Sequence, residues 1–226
     1  ALVMKGQAAD ALLDTYAHDR QFAADENIMN STRSTDFITP KSRTSKTFRN
    51  QVLALAKHHP FARKLVNSGR LSMPSFLTES VLNTPDADAF EGQMVPGAPM
   101  DDAPVQVNGQ DAWLLDQVGK GFQVLFFVDA APSPEVLAQL ASCGSVPPRA
   151  NEPVQVTPLI VSPSPLNIPG VQVIVDAQGL VAKRYDAQPG TTYLLRPDQH
   201  VLARWRTLDA TKLQAALARA LGAQIG

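Results

Sequence analysis

The sequence predicts an α/β protein in which helices come first and a sheet-bearing domain follows. Three observations carry this. Apolar residues recur at three- and four-residue steps near the start, strand-type runs replace that pattern after Pro104, and the stretch between Met73 and Pro104 shows neither period. With 226 residues and 44% hydrophobic composition, the chain can fill one large core or two small ones.

The opening Ala1 to Gly6 reads as the end of a helix stopped by glycine. Ala9, Leu12, Leu13, Tyr16, Ala17 and Ala24 then mark one face of a helix running to about Asn27. The small polar residues Ser31-Thr32-Arg33-Ser34-Thr35 compete for backbone hydrogen bonds and predict a loop or broken turn. A second helix is expected from an N-cap at Thr44 or Ser45, with Phe48, Val52, Leu55 and Ala56 buried. Pro60 interrupts it, and Asn67-Ser68-Gly69 ends its continuation. Met73 to Pro104, rich in proline and acidic residues, reads as a linker draped over surface. Helices with this much apolar stripe and no sheet need another body to pack on.

Beyond the linker, Trp113-Leu114-Leu115 and Phe122 to Val128 read as strands, the second apolar enough to be buried on both faces. Ser133-Pro134-Glu135 supplies an N-cap, a proline at the first helical position and an acid in the first turn, with Gly144 as the stop. Val154 to Val161 and Val171 to Val175 are further strands. Asp176 caps a short helix through Leu180 and Tyr185, although Gln178-Gly179 also permits a hairpin. Thr191 to Arg196 and Val201 to Arg206 form a hairpin across Pro197-Asp198-Gln199-His200. Asp209 then caps a closing helix with Leu213, Ala216, Leu217, Ala220 and Leu221 on one face. Strand, helix, strand, short helix, hairpin and helix is the order of a thioredoxin-like layer. Three regions follow: a helical segment over 1–72, a linker over 73–104 and a thioredoxin-like domain over 105–226 that lacks a Cys-x-x-Cys pair.

Composition excludes several classes of function. A net charge of −1 gives no field to gather nucleic acid or an anionic membrane. No apolar run reaches the roughly 20 residues needed to span a bilayer, and no signal-peptide pattern opens the chain. The single Cys143 excludes an internal disulfide and suits a reducing cytoplasm. In a thioredoxin oxidoreductase the thiols sit where the central strand meets the next helix, and Asp129 to Pro134 holds none. Cys143, near the far end of that helix, reads as inert rather than as a redox sensor or a peroxide-reducing thiol. Pro189 stands where that fold often has a cis-proline, and reads as a structural turn.

His58 and His59 are adjacent, so a helix turns them about 100° apart, and no ligands accompany them. No metal is expected. His18 and His200 read as surface residues, and Asp101-Asp102 as a solvated pair. No nucleophile elbow or phosphate-binding glycine loop is present. Catalytic, cofactor-binding and metal-binding residues are therefore all expected to be none within this chain.

Leu12 to Tyr16 (LLDTY) with Arg20, Asn27 to Pro40 (NIMNSTRSTDFITP) and Arg184 to Arg206 (RYDAQPGTTYLLRPDQHVLARWR) together resemble the C-terminal part of FAD-dependent aromatic-ring monooxygenases of the phenol, hydroxyphenylpropionate and pentachlorophenol hydroxylase type. The resemblance implies a thioredoxin-like C-terminal domain. It also implies that the helical segment belongs to a FAD domain absent from this chain, with Tyr16, Arg20, Asn27 and Arg33 packing on it. The parent enzyme would use FAD and NAD(P)H to hydroxylate phenolic substrates. This portion alone is expected to bind no cofactor, to be noncatalytic, and to serve structure or self-association. The alternative is a free-standing, redox-inert thioredoxin-like adaptor module.

Overall fold

The computed structural model describes residues 2–66, 74–119, 121–142, 145–146 and 154–222. Cys143, the Gly144 stop and the Asn67-Ser68-Gly69 ending lie outside them. The chain forms two compact units, one comprising residues 1–17 with 77–226 and the other residues 18–76. Both belong to a mixed α/β protein.

The larger unit is built on a mixed sheet. Its strands are β1 (Pro104–Val107), β2 (Gln110–Trp113), β3 (Phe122–Phe127), β4 (Ser145–Val146), β5 (Val154–Ser162), β6 (Gln172–Val175), β7 (Thr192–Leu195) and β8 (Val201–Trp205). Seven lie in the order β2-β1-β6-β5-β3-β7-β8, and the two-residue β4 pairs with β5 off that path. β6, β5 and β3 run parallel; β1, β7 and β8 each pair antiparallel. All six residues of β3 are buried, as its largely apolar run predicts, with the Gln123 amide bonded to Gly119 and Gln117.

Alternation along β3 assigns the two faces of the sheet. Phe122, Val124 and Phe126 join a core with Leu140 of α4 (Pro134–Ser142) and Leu213 and Leu217 of α6 (Ala210–Ala220). On the other face Phe127 meets the rings of Tyr185 and Tyr193. Both phenols are partnered: Tyr185 Oη donates to the Asp101 carbonyl and Tyr193 Oη to the Tyr185 carbonyl. Burying a hydroxyl without such a partner would cost about 1–3 kcal/mol. Desolvation holds the Tyr185 pKa well above its ordinary value and lifts that of Tyr193 to about 12.

The caps follow the sequence closely. The Ser133 hydroxyl accepts from the Val136 N–H at the start of α4, and its hydrogen bond lowers the Glu135 pKa. Asp209 accepts from the Thr211 and Lys212 N–H groups at the start of α6. The short helix α5 (Leu180–Arg184) forms as expected, but its N-cap position is Gly179; Asp176, three residues earlier, accepts from the Ala182 N–H of the first turn at 2.8 Å. Leu114 and Leu115 correct the strand expectation: β2 stops at Trp113 and Leu114–Gln117 turns as a 3-10 helix. The Asp102 carboxylate makes that turn by accepting from the Ala103 and Leu115 N–H groups. Asp102 is thus a structural acceptor rather than one of a solvated pair.

Residues 74–103 carry no helix or strand, as their composition predicts, yet they are not laid loosely over the surface. Leu77, Leu82, Met94, Ala98 and Met100 are buried, because single hydrophobics without a period can each fill a separate hole. Gly97 has φ +89, and a Cβ there would lie 2.4 Å from the Leu77 carbonyl oxygen, so only glycine fits.

The smaller unit is helical. Its first helix, α1 (Ala11–Ile38), starts in the larger unit and continues through Ser31-Thr35, where the sequence suggested a break. Unfavourable propensity there amounts to a few tenths of a kcal/mol per residue. Extending a helix already nucleated upstream offsets it. Termination waits for Pro40, with both the Thr39 N–H and hydroxyl donating to the Thr35 carbonyl. The α2 helix (Arg43–Ala56) is capped by Ser42, slightly before the expected Thr44 or Ser45, with Ser42 Oγ accepting from the Ser45 N–H at 3.1 Å. Pro60 ends one helix and begins the next, taking the first position of α3 (Pro60–Val66). Of the four residues expected to be buried on α2, only Val52 is. Phe48 is 61% exposed and Leu55 44%.

Candidate functional site

Three places could carry function: the sheet end where a thioredoxin has its thiols, the β7–β8 hairpin that holds the most specific sequence motif, and the exposed helical faces of residues 18–76.

The first is a shallow apolar cavity of about 170 Å³ beyond the ends of β3, β5 and β6, lined by Phe127, Val161, Pro163, Ala182 and Pro189. Ligands in α/β folds favour this end of the strands. Its chemistry is nonetheless sparse. Asp129, Ala130 and Ala131 are exposed and carry no thiol, and Pro132 and Pro134 lack the N–H groups that would serve an anion. No peptide bond is cis among the described residues, so Pro189 is a trans turn residue. The Gly190 N–H donates to the Phe127 carbonyl and fastens that turn to β3. Asp176 lies at the cavity edge, with one carboxylate oxygen on Ala182 and the other buried without a partner among the described residues.

The hairpin is dense with charge but turns it inward. Arg204, 3% exposed, grips the Asp86 carboxylate through Nε at 3.0 Å and Nη2 at 2.7 Å. Such forked pairing fixes direction as well as distance. Burial alone would lower the Arg204 pKa; the Asp86 carboxylate overcomes that and raises it. Arg206 pairs with Asp186 and donates to the Ala89 and Asp186 carbonyls. Both guanidinium groups lie over the Phe90 ring, 4.4 Å from its centroid for Arg204 and 3.8 Å for Arg206. At the turn, Gln199 donates to the Arg196 carbonyl to close it and reaches the Leu115 carbonyl with its side chain. His200 is not the surface residue its turn position suggested: its side chain is 14% exposed, with Nδ1 3.4 Å from Asp198. Burial would raise the Asp198 pKa, but contacts with His200 and Arg196 bring it down to about 2. Each charged side chain of the motif is thus engaged within the protein.

The other residues singled out by the sequence lie on or beside the helices. Tyr16, Arg20, Asn27 and Arg33 are exposed, as are His18, His58 and His59. Arg33 lines a groove of about 320 Å³ between α1 and α3, with Glu26, Met29, Phe37 and Leu65. No cluster of three or more potential metal ligands occurs among the described residues, and none of their helices is long and apolar enough to cross a membrane.

Among the described residues, the helix starts do not supply a cradle for FAD. A pyrophosphate cradle needs a glycine-rich turn delivering N–H groups from the first turn of a helix. Asp129 to Pro134 offers prolines instead, and Gly179 opens a helix of only five residues whose first turn is already held by Asp176.

No protein-family model matches the chain, and no curated protein matches it. Solved structures do. The flavin-dependent monooxygenase PieE, in complex with FAD and substrate, matches 97% of this chain over 41% of its own length, at 20% identity and TM-score 0.68. The rebeccamycin biosynthetic enzyme RebC with reduced flavin matches 98% over 38% of its own, at 18% identity and TM-score 0.61. Aklavinone-11 hydroxylase, in a ternary complex with FAD and aklavinone, matches 97% over 37%, at 21% identity and TM-score 0.58. The chain thus shares the fold of part of these flavin-dependent monooxygenases and spans about two-fifths of their length.

Proposed function

We propose that this chain is the C-terminal portion of an FAD- and NAD(P)H-dependent monooxygenase that hydroxylates phenolic or other aromatic substrates, and that the portion itself is noncatalytic. In this reading residues 1–72 complete a FAD domain supplied by the rest of the parent enzyme. Residues 105–226 are a thioredoxin-like domain, and 73–104 connect the two. The order β5-β3-β7-β8, with a helix between β3 and β5 and another after β8, supports the thioredoxin-like reading.

One observation carries the proposal. A chain whose fold matches flavin-dependent monooxygenases over nearly its whole length has no flavin cradle among its described residues, and it exposes large apolar residues on all three helices of residues 18–76. Phe22, Ile28, Phe48, Phe61 and Leu65 are too many to leave in water without a partner. The flavin supplies oxygen activation in such an enzyme. This chain would contribute packing surface to the flavin-binding half and a means of self-association.

Titrating the purified chain with FAD and assaying NADPH consumption tests the proposal. No saturable flavin binding and no turnover are expected from the chain alone, with flavin binding and NADPH oxidation appearing when the N-terminal half of the parent is supplied. A yellow, NADPH-consuming preparation of the chain by itself would overturn the noncatalytic assignment.

A further inference from the structure

We propose that residues 84–100 act as an edge guard: a strap that occupies the open side of β8 and thereby prevents that strand from pairing with β8 of a second copy of this chain.

The sheet has two edges, and they are protected differently. β2 has four residues, with Gln110, Asp111 and Trp113 exposed, and a short polar edge is a poor template for strand addition. β8 is the opposite case. Val201 to Trp205 are all buried, and an uncovered edge of this composition would invite pairing with another chain.

The strap bonds the backbone at the start of β8 and the residues that flank the strand. The Gly97 N–H donates to the Val201 carbonyl at 2.7 Å, and the Val201 N–H donates to the Ala98 carbonyl at 2.9 Å. The Met100 N–H reaches the Gln199 carbonyl, and the Thr84 N–H reaches Leu202 where the β7–β8 register shifts. Beyond the last strand residue, the Asp88 carboxylate accepts from the Arg206 N–H at 2.9 Å. Side chains then lock the strap in place. Asp86 is held by Arg204, Phe90 takes two guanidinium groups over its ring, and the Glu91 N–H donates to Asp186, itself paired with Arg206. β8 thus supplies both the edge to be covered and, through Arg204 and the adjacent Arg206, the hooks that hold its cover.

The test is hydrogen exchange on the whole chain carrying Asp86→Asn and Asp88→Asn, followed residue by residue at two protein concentrations. At low concentration the Val201 and Arg206 amides, which the strap protects, should exchange at least about tenfold faster than in the parent chain. Leu194, inside the β7–β8 pairing, should not change. At high concentration the variant should form larger species in sedimentation, and Val201 should regain its protection as β8 pairs with β8. Unchanged Val201 and Arg206 exchange, or association that leaves Val201 fast, would overturn the proposal; the latter would locate association on the exposed helices instead. Equal acceleration at Leu194 would also overturn it, because the strap would then be part of the global fold. If the double variant does not fold, Phe90→Leu loses both cation–π contacts while keeping an apolar side chain, and it is read by the same exchange pattern with a smaller change.

Discussion

Residues 18–76 and the sheet unit meet the burial problem in opposite ways, although both are drawn from the same chain composition. The sheet unit closes on itself: α4 and α6 cover one face, Tyr185 and Tyr193 fill the other, and the strap covers an edge. The helices of residues 18–76 bury Val52 and Ala62 but leave Phe48, Phe61 and Ile28 exposed. A closed core carries its stability within itself. Under the proposed function, the exposed apolar side chains are where another body would pack.

This contrast breaks most sharply under truncation. Leu125→Ala, at a fully buried position in β3, should destabilise the sheet unit by about 2–5 kcal/mol in denaturant unfolding. A loss below about 1 kcal/mol would mean the sheet is not the stabilising core. Acid should come next. A carboxylate whose folded pKa is depressed contributes stability above its unfolded pKa and loses it as pH falls through the folded value. The Glu91 N–H, followed by Arg206, lowers the Asp186 pKa, and Asp198 is brought to about 2. Stability of the hairpin should therefore decline from about pH 5 toward pH 2, against an unfolded carboxylate value of about 3.9. Asp198→Asn should flatten that decline, by less than about 1 kcal/mol, because its side chain is 49% exposed and solvent screens it. Smallest of all, Phe48→Ser with Phe61→Ser should shift stability by no more than about 0.5 kcal/mol per site, while reducing self-association in sedimentation.

What the sequence made legible follows from how local each cause is. The buried β3 run, the Ser133 and Asp209 caps and the Pro197 turn are each decided within a few residues, and all appear as read. The strap was not legible. Met94, Ala98 and Met100 have no helical or strand period, and the strap's bonds go to a hairpin about 100 residues away in sequence. Ser31-Thr35 misled for a related reason, since the upstream helix overrode its local preference. The motif in Arg196 to Arg206 pointed to a fold but could not show that its charges turn inward to Asp86, Asp186 and Phe90. Its His200 looked solvent-facing only because turns usually are.

The chain's two tryptophans sit at opposite extremes of its sheet, Trp113 at the β2 edge and 54% exposed, Trp205 in β8 and 3% exposed. That asymmetry gives the protein two built-in optical reporters with different sensitivities. A water-soluble quencher reaches the indole of Trp113 first, while the blue-shifted emission of Trp205 is lost only when the far end of the sheet opens, so events at the two margins can be followed separately without attaching a dye.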